Sequence, residues 1–290
     1  MGIPYSAEKD DVYYPAKRAV FFPNGRPRSD AALSVEMARL AYCRIDTNFA
    51  FDQARIRKVL AGIQFTDCKF FESVNAPDCG GSHAFLALDG NRKVAVLSFR
   101  GTDKDDPSDL GDDLDIRPHP WQGGGSVHSG FDKALQEIWQ RVKAALHEFS
   151  EYQFLFTGHS LGAAMATLAS TLQAPKSLYT IGCPRVGDQV FVDQLRGLDN
   201  HRYVDCCDLV PRVPPEACGY AHIPGKIQYI DFNRAVHELD PDDPYIAADQ
   251  TKAEEDYLEN YAWRIGDVAL RPLADHAPVN YVLPVTAATP

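Results

Sequence analysis

The sequence predicts an α/β fold: one mostly parallel central sheet covered by helices on both faces. Three observations carry this. From about residue 93 to 205, short apolar runs alternate with segments of helical periodicity, the pattern of βαβ units. One junction passes from an apolar strand through Gly158-His159-Ser160-Leu161-Gly162 into a helix of small residues. No linker or low-complexity tract interrupts the 290 residues, so the chain reads as a single domain, 1–290.

The elements follow in order. Residues 29–43 read as a helix with Ser29 or Asp30 as cap and Leu33, Met37, Leu40 and Ala41 on one face. Residues 52–63 read as a second helix, capped by Asp52. The period then changes to that of strands at 69–74, 83–88 and 93–99, the last two joined by a turn at Asp89-Gly90-Asn91. Residues 101–125, rich in Asp, Gly and Pro, read as a loop. Residues 131–149 form a strongly amphipathic helix, with Leu135, Ile138, Trp139, Val142, Ala145, Leu146 and Phe149 at helical spacing. A strand at 152–157 leads into a helix at 161–172. Strands at 177–181 and 201–205 flank a helix at 188–198, and 227–232 is the last strand.

Composition narrows the function. At 45% hydrophobic and 24% charged residues, disordered and fibrous classes are excluded. Forty acids against 29 bases give a net charge of −11. That balance argues against nucleic acid as a partner, which needs a basic stripe, and against docking on an anionic membrane by charge. No run approaches eighteen apolar residues, so no transmembrane helix is expected. The first residues carry no apolar signal core; a cytoplasmic location is expected, with secretion after signal removal as the alternative. The seven cysteines show no C-x-x-C spacing, which indicates neither a disulfide framework nor a zinc site but buried free thiols. The Asp-rich runs lack the layout of a calcium loop, and no cofactor or metal is expected.

The chemistry centres on Ser160. A Gly-x-Ser-x-Gly pattern between a strand and a helix places a serine on a sharp turn with its hydroxyl presented. The backbone N–H of Leu161, next in the chain, is then one oxyanion donor. A serine hydroxyl needs a base and an orienting carboxylate, and in this arrangement the chain order is serine, acid, histidine. Asp208 follows a buried strand and precedes a Pro-rich loop, a strand-end position suited to a catalytic group; Asp205 competes with it. His222, His237 and His276 are the histidines that follow. His159 is a poor base, because consecutive residues at a sharp turn point apart.

Six motifs occur along the chain: Leu97-Ser-Phe-Arg-Gly-Thr102, Val127-His-Ser-Gly-Phe131, Thr157-Gly-His-Ser-Leu-Gly162, Gly182-Cys-Pro-Arg-Val-Gly187, Asp208-Leu-Val-Pro-Arg-Val-Pro214 and Asp275-His276. In these motifs and their order the sequence resembles the class 3 lipases, fungal triacylglycerol lipases with bacterial and plant relatives. The resemblance implies an α/β-hydrolase fold, a catalytic Ser160, Asp208 and His276, and Thr102 as second oxyanion donor. It implies a structural place for His222, and for His128 a place in active-site architecture with a candidate substrate contact. The implied activity is that of a triacylglycerol lipase or carboxylesterase on a lipid or other ester substrate, with an oil–water interface as one setting. Phospholipase A1 and feruloyl-type esterase are the alternatives, and a non-catalytic binding protein on the same fold comes last.

The resemblance also implies a lid after Thr102, here 103–125. Only Leu110, Leu114 and Ile116 in its first part are strongly apolar, a departure from the oily inner face of lipase lids that keeps soluble esters open as substrates. Trp121 is read as an anchor for the lid's distal end. Residues 103–115 hold seven Asp and one Lys, and 238–259 hold nine acids and one Lys, which leaves the remainder of the chain at +3. Replacing the lid's Asp residues by Asn is expected to shift hydrolysis toward substrate in negatively charged vesicles. An unchanged ratio of rates on anionic and neutral vesicles would count against a role for that charge.

Overall fold

The computed structural model describes residues 3–17, 20–73, 81–102 and 117–289. Its elements in chain order are α1 (Lys9–Tyr13), α2 (Asp30–Leu40), α3 (Gln53–Gly62), β1 (Asp67–Glu72), β2 (His83–Asp89), β3 (Val94–Phe99), β4 (Pro118–Pro120), β5 (Ser126–His128) and α4 (Ser129–Glu148). Then come β6 (Gln153–His159), α5 (Leu161–Leu172), β7 (Ser177–Ile181), α6 (Gln189–Asp193), β8 (Asp199–Asp205), β9 (Ile227–Ile230) and β10 (Val236–Leu239). The chain closes with α7 (Pro244–Asn260), α8 (Arg271–Asp275) and α9 (Pro278–Ala288).

Eight strands form one sheet in the order β1-β2-β3-β6-β7-β8-β9-β10. From β3 to β9 all neighbours are parallel, and antiparallel pairs close both ends. Strand residues sort by alternation to two faces. Ala84, Leu86, Leu97, Phe99 and Phe156 pack with α4 and α5, while Phe85, Ala87, Val96 and Leu155 pack with α2, α3 and α9. A strand buried on both faces reads as a continuous apolar run, which is how β3, β6 and β7 appear in the sequence.

The helix starts have local causes. Ser29 Oγ accepts from Ala32 N at 3.0 Å, and an Asp52 carboxylate oxygen accepts from Arg55 N at 3.0 Å; each supplies a partner for a first-turn amide. Helix α5 begins at Leu161 and ends at Leu172, as its sequence pattern predicts.

Elsewhere the structure departs from expectation. The helix expected over 188–198 is only Gln189–Asp193, followed by turns through Gly197 at φ +86°. The distal part of the expected loop contains the small ribbon β4–β5. Trp121 lies between its strands, buried edge-on against Phe191, with its indole N–H donating to Thr171 Oγ1 at 2.9 Å. The late acidic stretch is a strand and a long helix; Asp249, Ala253 and Tyr257 form the buried stripe of α7. Five thiols are free and buried and Cys218 is free and exposed. Cys79 and residues 103–116, with Leu110, Leu114 and Ile116, lie outside the described residues.

Two glycines set how closely α5 approaches the sheet. A Cβ on Gly158 would sit 2.3 Å from the Gly162 carbonyl carbon, and one on Gly162 would sit 2.3 Å from Phe99 O. Gly62, near the end of α3, has nothing within 4 Å of the same position. Gly162→Ala is therefore expected to destabilise the fold by about 1–3 kcal/mol through forced backbone shifts. Gly62→Ala is expected to be neutral or stabilising by up to about 1 kcal/mol. Denaturant unfolding of the two variants checks the contrast.

Candidate active site

Strand β6 ends at His159 and helix α5 begins at Leu161, so Ser160 is the whole turn between them. Its backbone lies at φ 58°, ψ −128°. A non-glycine residue there costs about 1–3 kcal/mol, which surrounding structure must offset. Here Ser160 N donates to Ile181 O at 3.0 Å, tying the turn to the end of the neighbouring strand β7. Ser160 is 2% exposed.

Asp208 stands three residues beyond the end of β8, and His276 follows α8 immediately. His276 Nδ1 lies 3.0 and 2.9 Å from the two carboxylate oxygens of Asp208. The same carboxylate accepts from Val210 N at 2.9 Å and from the Tyr281 hydroxyl. Tyr281 is kept protonated: burial pushes its phenol well above the ordinary value, and the Asp208 charge adds to this. The pair needs a glycine beside it. Gly182 lies at φ +55°, and a Cβ there would be 2.8 Å from Asp208 Oδ2 and 3.1 Å from His276 Nδ1. Ser160 Oγ and His276 Nε2 are both buried and, among the described residues, both without a hydrogen-bond partner.

The competing acid, Asp205, and the neighbouring Asp275 are committed elsewhere. Asp205 accepts from both terminal nitrogens of Arg234, at 2.8 and 3.0 Å. Asp275 accepts from Arg271 Nε at 3.0 Å, the Tyr5 hydroxyl at 2.7 Å and Cys207 N at 2.9 Å. Sγ of Cys206 and Cys207 and a carboxylate oxygen of Asp275 lie within 4.8 Å of one another, the one trio of potential metal ligands among the described residues. Asp275's existing partners leave that trio little capacity for an ion.

His159 links parts of the site. Its Nδ1 lies 2.7 Å from the Tyr42 hydroxyl and its Nε2 lies 2.7 Å from the His276 carbonyl oxygen. A carbonyl only accepts, so Nε2 carries the proton and Nδ1 accepts from Tyr42. Burial, with the nearby His276, holds the His159 imidazole neutral, its pKa well below the usual value. Tyr42 also packs on the loop that bears Thr102: a Cβ on Gly101 would be 2.1 Å from the Tyr42 hydroxyl and 3.2 Å from Ser160 Cβ. The Gly101–Thr102 loop is thus set against Ser160, and Leu161 opens α5 on the other side.

The remaining sequence candidates have structural partners. His128 is buried, stacks on Phe131 at 4.0 Å and caps α4 by accepting from Gly130 N at 3.1 Å. His222 Nε2 donates to Pro211 O at 2.7 Å; burial and the nearby Arg202 hold its pKa well below the usual value. His237 lies on β10 with Nε2 2.9 Å from Asp231 Oδ2. Sequence reasoning assigned nothing to Tyr42, Gly101, Gly182 or Tyr281. Gly101, Gly182 and Tyr281 stand inside or beside quoted motifs, so their positions were visible and their contacts were not.

Comparisons place the chain among known proteins. Residues 96–218 match the family model described as Lipase (class 3). A protein of Fusarium solani named secreted mono- and diacylglycerol lipase 1 is 35% identical over 153 residues, 49% of this chain and 46% of that protein. A lipase of Rhizopus niveus is 29% identical over 51% of this chain and 42% of its own length. The chain therefore spans less than half the length of these relatives. The crystal structure of a lipase from Rhizopus microsporus var. chinensis superposes with a TM-score of 0.54 at 27% identity, covering 79% of this chain and 83% of that one. The α/β-hydrolase fold is common to both.

Three buried neutral histidines bear on pH. With folded pKa values below the unfolded ~6.5, His83, pushed down to about 3 by burial and the nearby Arg100, and His159 and His222 bind protons more readily in the unfolded chain. Their contribution is fully present above that value and is lost as pH falls through it. Between about pH 6 and 5 the three together predict a loss of roughly 3–4 kcal/mol per pH unit. His222→Gln should remove about a third of that slope in denaturant unfolding at fixed salt; an unchanged slope would show that His222 is protonated in the fold.

Proposed function

We propose that this chain is a class 3 lipase-like enzyme, in line with the family model it matches over residues 96–218, and hydrolyses carboxylic esters of lipids through Ser160, His276 and Asp208. The observation that carries the reading is a pair of buried atoms without partners among the described residues, Ser160 Oγ and the Nε2 of His276, whose ring Asp208 fixes at Nδ1. A buried polar atom left without a partner costs about 1–3 kcal/mol, a cost that a working hydroxyl and base justify.

In this mechanism Ser160 Oγ attacks the acyl carbonyl while His276 Nε2 takes its proton. Asp208, bound at Nδ1, fixes the tautomer and stabilises the imidazolium. The oxyanion of the tetrahedral intermediate is held by Leu161 N–H and by Thr102, through its N–H and hydroxyl. Collapse releases the alcohol, which takes the proton from His276, and leaves an acyl-Ser160. Water, deprotonated by His276, attacks this ester and returns the serine with a free acid. Tyr281 and Val210 hold Asp208, and the Tyr42–His159 pair holds the His276 backbone.

Acylglycerols are the proposed substrates, in line with the relative named as a mono- and diacylglycerol lipase. Relatives named as secreted support export of this chain as well. Among the described residues no helix is long and apolar enough to cross a membrane. We take 1–290 as one domain, because Ala7 and Val12 share a core cluster with Tyr257, Ala274 and Val279.

Hydrolysis of p-nitrophenyl esters of two to eighteen carbons tests the reading. Ser160→Ala is expected to lower kcat by about 10⁴-fold or more. A rise in rate above the solubility limit identifies a lipase acting at an interface; smooth saturation on short chains identifies a soluble esterase. Equal hydrolysis by both proteins, or by neither, overturns the assignment.

A further inference from the structure

A second cavity, sharing no residue with the site above, lies between α2, α9 and the segment that precedes α2. Its volume is about 640 Å³, within the range of roughly 300–1,000 Å³ usual for small-molecule sites. Phe22 walls one side, and Val279, Val282, Leu283 and Ala287 of α9 wall another. Phe22, Val279 and Val282 are buried, whereas Ala287 is exposed, so the apolar wall runs from the core outward along α9.

The charges around this groove are unevenly committed. Arg39 pairs with Glu36 at 2.6 Å, and Arg26 pairs with Asp89 at 2.6 Å. Arg28, also on the lining and exposed, makes no ion pair or hydrogen bond among the described residues. Three arginines against Glu36 give the lining a net charge of +2, on a chain of −11 overall. The groove thus offers a long apolar wall and one uncommitted guanidinium, the complement of a carboxylate joined to an acyl chain.

We propose that this groove binds a long-chain fatty acid, with the alkyl chain along α9 and the carboxylate on Arg28. The occupant's identity as reaction product rests on the ester-hydrolase reading, since that reaction releases such an acid; the groove's chemistry does not. A neutral glyceride or alcohol gains the wall but not the charge. The site is a store or sensor for product, separate from the acyl-enzyme chemistry.

The test is calorimetric titration of the full chain with sodium oleate below its micelle concentration, with oleyl alcohol as the neutral probe. Leu283→Trp, which fills the groove, is expected to weaken oleate binding about tenfold or more. Arg28→Glu is expected to weaken oleate about tenfold while leaving oleyl alcohol unchanged. Thermal unfolding verifies that each variant is folded, and Ala287→Trp at the exposed end replaces Leu283→Trp if that variant is not. Oleate binding unaffected by the filling variant, or Arg28→Glu acting equally on oleate and alcohol, overturns the proposal. So does a filling variant that splits a dimer in sedimentation without touching oleate binding, because a second copy of the chain then occupies the groove. Hydrolysis of a soluble ester, measured alongside, separates the two readings. Groove binding without hydrolysis leaves this site standing and removes the enzyme assignment; hydrolysis with groove-insensitive oleate binding does the reverse.

Discussion

The site depends on how close α5 comes to the sheet. Phe99 ends β3, and its carbonyl would be 2.3 Å from any Cβ placed on Gly162. That approach puts the first turn of α5 against the strand end that leads into the Gly101–Thr102 loop. It therefore brings the helix N-terminus, the Ser160 turn and the Gly101–Thr102 loop together without any side chain having to reach. The left-handed backbone of Ser160 is the cost of this arrangement, and the bond to Ile181 O helps offset it. Gly182 repeats the logic one strand further along: it leaves room for Asp208 and His276 to meet.

Around that approach a buried polar network fixes parts distant in sequence. Tyr281 of α9 donates to Asp208 and accepts from Asp205 N at 3.0 Å, so one hydroxyl spans the strand end and the acid. Arg234, bonded to both oxygens of Asp205 and to the Asn280 carbonyl, ties the turn between β9 and β10 to the same helix. Asn280 reaches back to Ser6 through both its amide oxygen and its nitrogen. His276 is therefore held from its backbone by His159, from its ring by Asp208, and through α9 by the amino-terminal segment. Such networks are costly when half satisfied, and this one is built largely of groups with named partners.

This network marks the line between what sequence reveals and what it does not. Caps at Ser29 and Asp52, the apolar runs of β2, β3 and β6 and the small-residue face of α5 are local signals, and each element followed from its own residues. The choice between Asp205 and Asp208 is different. Both are acids at the same strand end, and only Arg234, 29 residues after Asp205, separates them by occupying one. Tyr42 lies 117 residues before its partner His159. No periodicity reports a contact of that range. Helix α7 was missed for another reason: its inward stripe is Asp249, Ala253 and Tyr257, and a buried Asp in that row hides the apolar face.

That buried Asp also changes what the acid surplus means. Asp249 accepts from the Tyr229 hydroxyl and Phe232 N, both at 2.9 Å, so it is a bonded part of the core between α7 and β9. Glu254, Glu255 and Glu259, by contrast, lie on the exposed side of α7. The late acidity is thus divided between β10, the turn before α7 and the solvated side of α7, the last arranged around a stripe that must pack. The other concentration, 103–115, has no such explanation in its own pattern, because Gly111 and its scattered Asp residues supply little apolar face. It follows Thr102 directly in the sequence, so this charge sits beside a candidate oxyanion residue along the chain.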